Sequence, residues 1–338
     1  ETGKHLTTPT ESLSGLMRIV KRRETAKISE IVSHNRMKLS SNDPNYQSKI
    51  NALAWEIYEK SKLDDYFNRL VNVTDDDKER ASLENEWLEY RINVLKATPA
   101  EDKPRFFETV KTMVEDMVLV DHDSLVAWKS YFDWQDYESL DDMDPKVVLR
   151  FFSKYPNEPL AIILYAWINS RFSTYNVAEL EKEMEKENGT AAPETQTNDN
   201  DNGNDDEDDD EAAEVTSLME ADEEMSGALK EEDILSSIIE NIDKIKNSTT
   251  AYRILSHYYM LNREYSASLP YIKAGITLIS YYLRDLGAYL KHSKHELTID
   301  IATCYTYIDA PKNHKAALSL FDKILSEDPN NIRSMIGK

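Results

Sequence analysis

Glycine, cysteine and long apolar runs are all scarce in this chain of 338 residues, and each shortage excludes something. Glycine occurs 8 times, about a third of its usual share, and three of the eight (Gly189, Gly203, Gly227) sit in one acidic stretch. The remainder is nearly glycine-free, which excludes glycine-rich phosphate loops and argues against a β-sandwich built on many tight turns. Cys304 has no partner for an internal disulfide, so a reducing compartment is expected. The Asn-x-Ser/Thr triplets at Asn72, Asn188 and Asn247 then read as chance matches. No apolar run approaches the roughly 18–20 residues that a bilayer-spanning helix needs. No signal peptide is visible, and the chain runs from Glu1 to a helical pattern at Lys338, so it reads as a piece of a longer protein.

Basic residues are missing too, but in one place. From Gly189 to Leu229 there is no Lys or Arg and there are 15 Asp and Glu, which leaves only −8 of the formal −23 net charge to the rest of the chain. This stretch holds the run Asp205 to Glu211 and almost nothing apolar before Val215. Such a segment buries too little apolar area to offset its ordering entropy. A disordered acidic insert at 188–228 is expected, tethering an irregular helical-repeat segment at 1–187 to a second helical segment at 229–338.

What the chain has in abundance is helical spacing. Leu13, Leu16, Met17 and Val20 form a stripe that resumes at Ile28, Ile31 and Val32 after an expected break near Lys21–Glu24. Asp43-Pro44 and Thr74 to Asp77 read as helix starts, Pro99 as a stop and Pro104 as a start. Helices follow at Leu125–Trp134, Pro145–Tyr155 and Leu160–Phe172, and a solvated Glu/Lys-rich tail is expected over Val177–Glu187. About ten helices with short connections predict an all-α fold, a right-handed solenoid of stacked helix pairs interrupted by the insert.

After the insert the spacing becomes that of a tetratricopeptide repeat. Tyr252, Leu255 and Tyr259 are followed by Ser268 and Ile272, and a second copy carries Ala317, Phe321 and Pro329. Repeats are expected at about 249–282 and 298–331, with a third beginning near 332. The concave groove of such repeats would be lined here by Thr250, Arg253, His257 and Met260. A chaperone-docking adaptor, the alternative reading, usually needs a basic clamp at these positions, and they supply one Arg and no Lys.

No catalytic constellation, phosphate loop, dinucleotide fingerprint or metal set is legible, so no enzyme activity, cofactor or metal is expected. His292 and His295 are three residues apart without a completing ligand, and read as exposed loop histidines. The asparagines 198, 200 and 202 lack the carboxylates and flanking helices of a calcium loop. The cluster Arg18, Lys21, Arg22 and Arg23 reads as a solvated helix end, and Tyr and Trp at helical spacing read as core.

Three longer strings carry a resemblance beyond the repeat pattern: MVEDMVLVDHDSLVAWKSYFDWQDYESLDDMD within Phe106–Asp144, LPYIKAGITLISYYLRDLG ending at Gly287, and ATCYTYIDAPKNHKAALSLFDKILSEDP over Ala302–Pro329. In these the chain resembles the tetratricopeptide scaffold subunits of the superkiller complex of yeasts, over nearly its whole length except the insert. The resemblance implies a non-catalytic cytoplasmic scaffold holding a DExH-type RNA helicase and β-propeller subunits. It also implies coupling to the RNA exosome or its adaptor for 3′-to-5′ decay, with RNA met only indirectly and no membrane. The piece would be an N-terminal arm. The family's helicase and propeller contacts lie largely in a later array, so no contact residue carries over.

Overall fold

The structure, a computed structural model, describes residues 9–38, 45–171, 177, 179–180, 182–184 and 231–338. The acidic insert expected at 188–228 lies outside the described residues, as does the Asp43-Pro44 start. Fourteen α-helices and no strand occur among the described residues. They are α1 (Pro9–Lys38), α2 (Tyr46–Tyr58), α3 (Leu63–Val73), α4 (Asp77–Ala97), α5 (Lys103–Leu119), α6 (Leu125–Trp134), α7 (Pro145–Lys154) and α8 (Pro159–Arg171). After the gap come α9 (Glu231–Ile242), α10 (Thr249–Leu261), α11 (Tyr265–Tyr281), α12 (Lys291–Tyr307), α13 (His314–Glu327) and α14 (Ile332–Gly337). A π-turn, Tyr282–Leu286, extends α11.

Local chemistry sets most of the boundaries. Asp76 accepts from the Glu79 N–H at 2.7 Å, Ser124 from Ala127 at 3.2 Å and Ser248 from Ala251 at 3.1 Å, each satisfying a donor that a helix start leaves open. Pro104 and Pro145 occupy first turns, where the missing N–H is harmless. The expected break in α1 is absent. Lys21 to Glu24 interrupt the apolar stripe but are good helix formers with no Gly or Pro among them, so the helix runs on for 30 residues. Arg18, Lys21, Arg22 and Arg23 therefore lie inside a helix and not at its end.

Helix packing divides the chain into two units, one formed by Glu1–Leu140 with Asn247–Lys338 and the other by Asp141–Lys246. In the second unit α8 packs against α7 and α9. Leu160, Ile163, Leu164, Trp167 and Ile168 are all buried, as expected of a helix apolar on every side. Val177, expected in a solvated tail, is also buried.

The first unit stacks consecutive helices: α1 on α2 and α3, α3 on α4, α4 on α5, α5 on α6, then α10 through α14 in series. One core spans its two parts, joining Leu88, Val110, Val114 and Trp134 to Ile272, Ile279, Leu297 and Cys304. A smaller core holds Met17, Leu63, Phe67 and Leu70 under Trp87 and Tyr90.

Candidate functional site

The repeat-signature residues mostly face inward. Tyr252, Leu255 and Tyr259 of α10, Ser268 and Ile272 of α11, and Ala317 and Phe321 of α13 are buried, whereas Pro329 is exposed just beyond α13. Gly275 of α11 lies between α10 and α12. A Cβ there would stand 2.8 Å from Leu297 Cδ1 and 3.1 Å from Tyr252 Cβ, so only glycine fits without displacement.

The predicted groove residues are a correction. Thr250 and Arg253 are 2% and 1% exposed and are bonded within the chain, so neither is offered to a partner. Thr250 Oγ1 donates to the Phe132 carbonyl at 2.9 Å. Arg253 pairs with Glu296 and donates to Ser293 Oγ at 3.2 Å and to the Tyr137 carbonyl at 2.8 Å. His257 and Met260 are half-buried, and Met260 Sδ lies 3.7 Å from Cys304 Sγ. The physical reason is that the end of α6 and the residues after it cover this face of α10.

That end of α6 is the most organised polar constellation described. Asp133 is buried and its carboxylate accepts from Ser248 Oγ at 2.9 Å, Thr249 Oγ1 at 3.4 Å, the Thr250 N–H at 3.1 Å and the Tyr282 hydroxyl at 3.1 Å. It thereby supplies a second cap to α10 from another helix. Three residues on, Asp136 adopts φ 46°, a left-handed conformation that Asp tolerates better than most residues. Its carboxylate accepts the N–H groups of His292 at 2.9 Å and Ser293 at 2.8 Å, capping α12, whose own N-cap residue Leu290 has no side-chain acceptor. Lys103, in the first turn of α5, donates to the carbonyls of Arg284 at 2.9 Å and Asp285 at 3.0 Å.

Burial pushes the Asp133 carboxyl up from its ordinary range, and the bonds from Thr250, Ser248 and Tyr282 offset only part of that. Burial likewise pulls the Lys103 ammonium down and drives the Tyr282 hydroxyl well up, helped by the adjacent Asp133. Asp64, half-exposed beside the small core, behaves oppositely. Burial alone would raise it, but bonds from Arg91 at 2.7 and 2.9 Å and from Trp87 at 2.7 Å, with the Arg91 charge, hold it below the usual carboxylate range.

His295, expected in an exposed loop, is buried in α12 with Nε2 2.9 Å from Glu327. His292 lies in the first turn of α12, not in a loop. No group of three or more His, Cys, Asp or Glu suited to a metal occurs among the described residues. No described helix is long and apolar enough to cross a membrane. Clefts lie between α1 and α4, ≈ 740 Å³, and between α4 and α5, ≈ 650 Å³.

Sequence reasoning missed Asp133, Asp136 and Lys103. One signal was present: Asp133 interrupts an apolar pair, Phe132 and Trp134, and an acid flanked by two buried aromatics needs a donor set of its own.

Consecutively stacked helix pairs define a helical-repeat architecture, and a tetratricopeptide-repeat family model matches residues 1–84. That match falls in the stretch expected to be irregular. Along 99% of its length the chain is similar to Superkiller protein 3 of Saccharomyces cerevisiae, 46% identical over 374 aligned positions. It is also similar, at 23% identity over 84% of its length, to Superkiller protein 3 of Schizosaccharomyces pombe. The chain spans 25% and 20% of the lengths of these two relatives.

Proposed function

We propose that this chain is a segment of a non-catalytic scaffold in a cytoplasmic RNA-decay assembly of the superkiller type. In this reading the whole protein organises a DExH-type RNA helicase and β-propeller subunits and couples them to the exosome for 3′-to-5′ mRNA degradation. The observation that supports it best is the 46% identity to Superkiller protein 3 across 99% of the chain. The architecture suits the role, because stacked helix pairs present long surfaces to partners. Chaperone docking is the weaker reading: Arg253, the one cation at the groove positions, is spent on Glu296 inside the chain. We likewise propose repeat boundaries near 249–282 and 298–331.

Cross-linking of the assembled complex, read out residue by residue, tests the proposal. Links from this chain to the helicase, a propeller subunit or an exosome adaptor are expected. If the rest of the protein cross-links to them and the protein is recovered with none of these partners along this chain, the segment has another role.

A further inference from the structure

We infer that the cleft between α1 and α4 is a docking site for an acidic amphipathic helix of a partner protein, gripped by Arg18 and Arg22. The cleft, ≈ 740 Å³, has half-buried Leu83 at its apolar floor, above Met17 of the small core. Its α1 wall is low because small residues (Ser14, Thr25, Ala26) line it, which leaves room for another helix to approach. Lys21 is already committed across the cleft to Glu86 at 2.6 Å. Arg18 and Arg22 are exposed, stand one helical turn apart on the cleft side of α1, and enter no ion pair among the described residues.

Uncommitted arginines beside an apolar floor specify the partner's chemistry. Guanidinium forks take carboxylates bidentately, and their spacing of about one turn matches two acids placed four apart on a facing helix. An apolar residue beside that acidic pair would cover Leu83. RNA fits less well, because Glu79 and Glu86 line the same cleft and no aromatic ring does, which removes both continuous positive potential and a stacking platform. The inference rests on the cleft alone, so its failure would leave the scaffold reading intact.

Fluorescence anisotropy with the full chain tests it. Three labelled probes are used: a synthetic amphipathic helix with leucines on one face and glutamates four apart beside them, the same peptide with glutamine for glutamate, and an oligouridylate RNA. The glutamate peptide should bind, more weakly as salt rises. Arg18→Glu/Arg22→Glu should weaken it about tenfold or more, since two charge-assisted contacts become repulsions. Both side chains are exposed, so melting should be unchanged; Arg18→Gln/Arg22→Gln gives a milder version of the same readout should the reversal disturb α1. Binding that ignores the arginines, equal binding of the glutamine peptide, absence of binding, or an arginine-dependent preference for RNA would each overturn the inference.

Discussion

Two contacts within the larger unit are built on opposite principles. The α12–α13 pair is held mainly by apolar packing between neighbours in sequence: Ile299 and Ala302 meet Ala317, Phe321 and Ile324, with His295 and Glu327 bonded at one end. The contact of α6 with α10 and α12 adds a polar network to its apolar core, between residues 115 or more positions apart, in which Asp133 and Asp136 each cap a helix that their own segment does not contain. The first kind repeats wherever the helix pattern repeats. The second is specific to one site, and it fixes which helix follows which across the excursion Asp141–Lys246. Generic stacking builds the scaffold; a directed polar lock sets its order.

The largest effect is expected from breaking that lock. Asp133→Ala strands the Thr250 N–H and the Ser248 hydroxyl in a buried site, at roughly 1–3 kcal/mol for each donor left unmade, while the Tyr282 hydroxyl keeps the Asn247 carbonyl at 3.0 Å, so the larger unit should lose about 2 kcal/mol or more. Chemical denaturation of the two proteins measures it. A change under 1 kcal/mol would show that water or rearrangement replaces the carboxylate and that the lock is incidental.

The apolar pair is challenged by Ala317→Trp. Ala317 is 4% exposed against α12, and overpacking there should cost roughly 1–3 kcal/mol or more. Equal melting of variant and parent would mean that α13 can shift outward, so the close approach is not required.

The contrast sharpens in pH. Asp133 is raised above 3.8 in the folded chain, so its contribution is fully present below that value and is lost as pH rises through its folded pKa. Asp64 is lowered, so its contribution is present above 3.8 and is lost as pH falls through its folded pKa. Asp133→Asn should therefore gain on the parent as pH rises from acid toward neutral, while the deficit of Asp64→Asn should shrink as pH falls. Denaturation midpoints across that range give both slopes, and parallel slopes would remove the distinction drawn between the two carboxyls.

The smallest effect is expected at Ser268. Its side chain is fully buried and its hydroxyl has no hydrogen-bond partner, so Ser268→Ala should be within about 0.5 kcal/mol of the parent or slightly stabilising. A loss above 1 kcal/mol would reveal a bond that the geometry does not contain.

The helices were legible wherever period and punctuation agree. Leu125–Trp134 matches α6, and Pro99, Pro104 and Pro145 mark boundaries within a residue or two. The inward-facing repeat residues were legible for the same reason: burial of Leu255, Ile272 and Phe321 follows from spacing along one or two helices. The joint was not, because nothing local to Asp133 names Ser248, Thr250 or Tyr282 as its donors. That blindness also explains the groove. Arg253 and Thr250 occupy positions that face open space in an isolated repeat, and the covering segment comes from far upstream. The unbroken α1 teaches a smaller lesson: a gap in an apolar stripe marks a change of neighbour, and only Gly, Pro or a cap marks an end.

The excursion leaves the larger unit after Leu140 and returns at Asn247. Both crossings adjoin the same lock: Tyr137 accepts from Arg253 just before the exit, and Ser248 reaches Asp133 just after the return. Mechanically, tension applied through the excursion enters the larger unit beside these short bonds, while α13 and α14 take no part in the lock. Pulling on the excursion would strain a clasp before it could unroll a spring.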